Sequence, residues 1–167
     1  MTFALGITSE KALRKYVKDK DMLIKIEMEW NRQETDRANE NNLFSGVKET
    51  IQELYKKDIR LGVVTSETKK EYENEVTRFG LNKYFSIIVT ASDTKRHKPN
   101  PDPINFAISK LNAIPANVLY IGDTKYDMLT ARAAHVNFAV AGWGAHDKIS
   151  NADYYLNSPE EILEFVK

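Results

Sequence analysis

Val118-Leu119-Tyr120-Ile121-Gly122-Asp123-Thr124-Lys125-Tyr126-Asp127 is an apolar run that stops at a glycine and passes straight into an acidic, helix-opening stretch. Consecutive β-branched and aromatic residues predict a buried strand, and the polar residues after it predict the start of a helix. The same texture lies on either side. Upstream, a helix carrying Val47, Ile51, Leu54 and Tyr55 feeds the run Ile59-Arg60-Leu61-Gly62-Val63-Val64. Thr68 with Glu71 then forms a capping box, a helix runs to Phe79, Gly80 suits a left-handed cap, and Phe85-Ser86-Ile87-Ile88-Val89 reads as strand. Asp102 with Pro103 opens the next helix, which ends near Leu111. Downstream come a helix from Tyr126 to Ala134, a strand from Val136 to Val140, a short strand at Tyr154-Tyr155 and a helix opened by Ser158-Pro159-Glu160-Glu161. Strands alternating with helices of about ten residues predict an α/β protein with a Rossmann-like, three-layer domain around a parallel sheet.

Residues from Ser9 to about Asn41 have a different texture, rich in Lys, Glu, Arg and Asn, with Leu13, Val17, Met22, Ile26 and Trp30 at mostly helical spacings. They predict two amphipathic helices. The chain has 167 residues, enough for one main core and a small accessory unit. Lys plus Arg and Asp plus Glu both number 24, so no global field recruits nucleic acid or an anionic membrane surface. With no cysteine there is neither a disulfide framework nor a thiolate metal site, and with no apolar run of membrane-spanning length the expected location is the cytoplasm.

In open parallel sheets, ligands bind beyond the carboxyl ends of the strands. Thr65 and Ser66 follow the first run and offer hydroxyls and backbone N–H groups near a helix start, as an anion cradle or simply as caps. Lys98 sits in His97-Lys98-Pro99-Asn100-Pro101-Asp102-Pro103, where three prolines stiffen the loop; its ammonium can neutralise a phosphoryl oxygen, or be an ordinary surface lysine. Asp123 and Asp127, four apart across a strand end and a helix start, can face one cavity and suit magnesium, or serve as a cap and a solvated carboxylate.

Taken in order, Val63-Val64-Thr65-Ser66, Lys98-Pro99-Asn100-Pro101-Asp102-Pro103 and Ile121-Gly122-Asp123-Thr124-Lys125-Tyr126-Asp127 resemble the second, third and fourth motifs of the haloacid dehalogenase superfamily, and most of all its phosphoglycolate phosphatase and pyrophosphatase branch. The resemblance implies a core over residues 43–167 and, over residues 1–42, part of a helical cap. It implies a magnesium-dependent hydrolase of small phosphorylated metabolites that works through an aspartyl-phosphate. Thr65, with Ser66 nearby, would bind the phosphoryl group; Lys98 would pair with the nucleophile and the phosphate; Asp123 would ligate magnesium, and Asp127 would ligate it or hold its water.

The family's first motif, a strand ending in Asp-x-Asp-Gly-Thr whose first aspartate attacks phosphorus, has no match here. Asp19-Lys20-Asp21 has the spacing, but an amphipathic stretch precedes it and Met22-Leu23 follows where Gly-Thr should stand, so it is read as a junction between helices. The expectation is therefore a truncated or inactive form that lacks the core's first strand and is open to self-association through two unpaired sheet edges. The alternative is a non-catalytic phosphate-binding or interaction remnant. A phosphomutase or a dehalogenase fits less well: the first commonly has adjacent acids at the fourth motif, and the second needs no magnesium.

Overall fold

The structure, a computed structural model, describes residues 6–37 and 42–166. The element order is α1 (Ser9–Leu13), α2 (Lys20–Arg37), α3 (Val47–Lys56), β1 (Leu61–Val64), α4 (Lys69–Val76), β2 (Phe85–Val89), α5 (Asp102–Leu111), β3 (Leu119–Gly122), α6 (Lys125–Ala133), β4 (Asn137–Ala141) and β5 (Tyr154–Leu156), closed by a 3-10 turn over Pro159–Phe165. The alternation read from the sequence is the Rossmann-like α/β fold, and most strands fall within a residue of the predicted ranges. Among the described residues every strand pair is parallel.

Local chemistry explains the boundaries. Thr68 and Glu71 make both bonds of a capping box at α4, and Thr124 and Asp127 do the same at α6. Gly80 takes the left-handed conformation (φ 66°) that ends the turn after α4, and Asn112 takes it (φ 47°) after α5. Three details depart from expectation. Asp102 is the first residue of α5 rather than its cap, because Pro101 holds the cap position and the Asp102 carboxylate accepts from Arg96 at 2.9 Å. The last helix is a 3-10 turn. In α2 Leu23 is buried and Met22 is 56% exposed, so Met22 leaves the predicted stripe, whereas Ile26 and Trp30 of that stripe are partly buried.

The main core cluster joins Ile104 of α5, Met128 and Ala131 of α6, and Val136, Phe138 and Val140 in and beside β4, with Ile149 closing it. Phe138 is fully inaccessible, and burial of such a side chain contributes about 1.5–3 kcal/mol. Helix α5 packs on β1 and β2, and α6 packs on β3 and β4. The parallel strands form two groups: β1 pairs with β2, and β4 lies between β3 and β5 and pairs with both, while among the described residues β1 and β3 are not hydrogen-bonded to each other. Among the described residues no helix is long and apolar enough to cross a membrane.

Candidate functional site

Strands β1 and β3 point their carboxyl ends at one cavity of about 750 Å³. Thr65 and Ser66 enter it from β1, Gly122 and Asp123 from β3, Lys98 from the loop before α5, and Asp127 from the first turn of α6. All five residues singled out in the sequence thus border the same space. Its outer wall comes from Gly6 to Glu10, from Glu27 and Trp30 of α2, and from Glu67, Thr68 and Glu71.

The hydrogen bonds divide these residues by role. Thr65 Oγ1 accepts from the Glu67 N–H at 3.1 Å, which leaves the hydroxyl proton for a ligand. Ser66 Oγ instead donates to the Gly6 carbonyl at 3.1 Å, tying the segment before α1 to the end of β1. Gly6 itself (φ 78°) packs so closely on Thr124 that any Cβ would collide with the Thr124 hydroxyl. Lys11 adds a second tie by donating to the Lys98 carbonyl at 3.2 Å.

Lys98 and Asp127 form a buried ion pair of 2.7 Å, with side chains 8% and 5% exposed. Asp127 Oδ1 also accepts from the Tyr120 hydroxyl at 3.0 Å, and Oδ2 accepts from the Thr124 N–H (3.1 Å) and hydroxyl (2.5 Å). Two bonds on each oxygen fill the acceptor capacity of the carboxylate. An ammonium has three protons, so Lys98 can present others to the cavity while one is held by Asp127. Tyr120 stays a protonated donor, because burial first and the Asp127 charge second hold its phenol well above its ordinary range.

Asp123 lines the cavity and, unlike Asp127, is exposed. The protein around it, and then the Asp127 charge, raise its pKa above the ordinary aspartate value, opposed in part by a backbone hydrogen bond, Lys98 and His146. Among the described residues no three His, Cys, Asp or Glu side chains gather as a metal cluster. Asp123 as the one strand-end carboxylate not taken by Lys98 is still compatible with magnesium, which keeps several waters and commonly takes only one or two protein carboxylates together with substrate phosphates.

Sequence reading did not single out Tyr120, which looks there like any strand aromatic; the one available signal was a phenol at a strand end, since buried hydroxyls seek partners. It also missed Gly6, Glu27 and Trp30, whose place at the cavity follows from tertiary packing. Asp19 lies elsewhere: its carboxylate accepts from the Met22 N–H at 2.7 Å at the start of α2, outside the cavity lining.

A model of the haloacid dehalogenase-like hydrolase family matches residues 1–141. The chain is 31% identical over 160 residues to a protein assigned as the pyrophosphatase PpaX in Caldanaerobacter subterraneus subsp. tengcongensis, covering 93% of this chain and 72% of that protein. It is 31% identical over 127 residues to pyrophosphatase PpaX of Oceanobacillus iheyensis, covering 74% of this chain and 59% of that protein. The crystal structure of a Lactobacillus plantarum protein assigned as a phosphoglycolate phosphatase superposes with a TM-score of 0.83 at 27% identity, covering 96% of this chain and 78% of that one.

Proposed function

This chain belongs to the haloacid dehalogenase-like hydrolase family, and from that membership we propose that its cavity is a magnesium-assisted phosphoryl site for small phosphorylated metabolites. The observation that carries the reading is the convergence of Thr65, Lys98 and Asp123 on one cavity, with Lys98 fixed by Asp127 from behind. Thr65 offers a hydroxyl proton to a phosphoryl oxygen, and Lys98 offers an oriented positive charge in a site where little water screens it. Asp123 holds the magnesium, which when bound neutralises charge on the phosphoryl oxygens. Asp127 holds Lys98 rather than the metal, since its acceptors are already taken. Ser66 fastens the segment before α1, and Gly6 to Glu10 with Glu27 and Trp30 close the outer side of the site, in keeping with residues 1–42 as part of a cap and 43–167 as the core.

A second reading, binding without turnover, draws on the carboxylates. The cavity is lined by Glu10, Glu27, Glu67, Glu71, Asp123 and Asp127, of which Asp123 and Asp127 stand where β3 passes into α6. With Asp123 given to the metal and Asp127 to Lys98, the described residues leave no carboxylate there to attack phosphorus.

Asp123→Asn tests the metal assignment in two ways. Calorimetric titration with magnesium should give binding to wild type and none measurable to the variant; equal affinities would remove Asp123 as the ligand. Because the folded-state pKa of Asp123 lies above its unfolded value, the folded protein holds the proton more tightly. Its ionised form therefore costs stability, a cost that grows as pH rises from the ordinary aspartate value and is complete above the raised pKa. Without metal at pH 7 the variant should melt no lower than wild type, and magnesium affinity of wild type should fall as pH drops through that pKa, because a protonated carboxyl cannot ligate. A marked drop in the variant's melting temperature would show the carboxylate to be structural.

A further inference from the structure

We propose that the cavity takes phosphomonoesters whose leaving group carries an alkylammonium, with Glu27 and Trp30 of α2 holding that cation while the phosphate lies toward Thr65 and Lys98. The proposal names a substrate class for the phosphoryl site and rests on that reading. The two sides of the cavity differ in chemistry. Thr65, Lys98 and Asp123 stand at the strand ends, whereas Glu10, Glu27, Trp30, Glu67 and Glu71 belong to the outer wall. Among the described lining residues Lys98 is the one lysine or arginine, and Asp127 already holds it. Six carboxylates therefore face one ammonium around this space. A leaving group with a negative charge would be pushed against carboxylates that little water screens, and a positively charged one would be drawn to them.

The wall carboxylates are not equivalent. Glu10 pairs with Arg14 at 2.7 Å, and Glu71 accepts from the Thr68 N–H at 2.6 Å in the capping box of α4. Glu27 has no hydrogen-bond or ion-pair partner among the described residues, although it is partly buried. Its pKa stands above the ordinary glutamate value, through burial first and the Glu10 charge second, opposed by Arg14 and reinforced by Glu71. A carboxylate so placed is stabilised by gaining a cation.

Trp30 decides which cation. It follows Glu27 by three positions in α2, on the same helix face, and it too lines the cavity partly buried. The face of an indole attracts alkylammonium groups more strongly than any other side chain does, whereas a metal ion asks for oxygen or nitrogen ligands. Among the described residues no three His, Cys, Asp or Glu side chains gather to hold a metal, so the wall suits an organic cation. The cavity of about 750 Å³ leaves room for such a group beside the phosphate.

The test is calorimetric binding to the whole chain with magnesium present, so it does not depend on turnover. The probes are phosphocholine and 3,3-dimethylbutyl phosphate, which has the same shape with carbon in place of the charged nitrogen. Wild type should bind phosphocholine roughly tenfold more tightly than the neutral probe, the combined effect of one ion pair and one cation–π contact. That ratio should fall to about one in Glu27→Gln and in Trp30→Leu, and because both probes meet the same protein, a general loss of folding cannot imitate the change. Glu27→Lys should reverse the selection, so that phosphoglycolate binds more tightly than phosphocholine. A ratio near one in wild type, a ratio that survives either neutral substitution, or an unreversed preference in Glu27→Lys would overturn the proposal. Inorganic phosphate separates the two levels: if it binds wild type and the ammonium preference is missing, only the substrate class is wrong. If it does not bind at all, the phosphoryl site falls and the substrate class falls with it.

Discussion

Asp127→Ala should lower the stability of the fold by about 3–5 kcal/mol, the cost of leaving one member of a buried ion pair without its partner. For a chain of this size that is a fall in melting temperature on the order of 10 °C. The size of the effect comes from the surroundings rather than from the 2.7 Å contact itself. Truncation strands the Lys98 ammonium, and it also deprives the Tyr120 hydroxyl and the Thr124 cap of their acceptor. Replacing both charged residues, as in Lys98→Met with Asp127→Leu, should recover much of the loss, since no charge is then buried alone. Tyr120→Phe should cost only about 1 kcal/mol, the ordinary value of one hydrogen bond. Chemical denaturation of the four proteins measures all of this, and an Asp127→Ala effect below about 1 kcal/mol would mean that the pair is solvated and does not position Lys98.

The second large effect is on turnover. On the reading of binding without turnover, p-nitrophenyl phosphate with magnesium should be hydrolysed at less than roughly a thousandth of the rate of a relative that carries the first motif, because a covalent mechanism without its nucleophile commonly loses several orders of magnitude. Electrostatics and positioning at Thr65 and Lys98 do not replace an attacking group. Asp19→Asn and Asp21→Asn should leave the residual rate unchanged, since Asp19 is occupied in capping α2. Substantial turnover that vanished in either variant would promote that pair to the nucleophile motif; substantial turnover unaffected by both would assign a carboxylate of the cavity, with Asp123 the first to test.

Much of the fold was legible because hydrophobic period and capping chemistry are local. The Thr68–Glu71 box, the Gly80 turn and the strand runs need only neighbouring residues to act, and the structure places them as the sequence implied. The site was legible as a neighbourhood, since strand ends in a parallel sheet gather residues distant in sequence. What each residue does there was less so. Whether Asp127 meets a metal depends on how many donors already surround it, and those come from Tyr120 in β3, Lys98 in the loop before α5, and Thr124. The face of α2 could not be fixed either, because Met22 and Leu23 are equally apolar and only packing chooses between them.

The reading as a whole rests on one anion site shared by Thr65 and Lys98, residues that the sequence keeps far apart. A crystal structure of the chain soaked with phosphate and magnesium tests it most directly. The account predicts a phosphate within hydrogen-bonding distance of Thr65 Oγ1 and Lys98 Nζ, with the metal on Asp123. A phosphate held elsewhere, or a saturating soak that leaves the cavity between these two side chains without an anion, would contradict it.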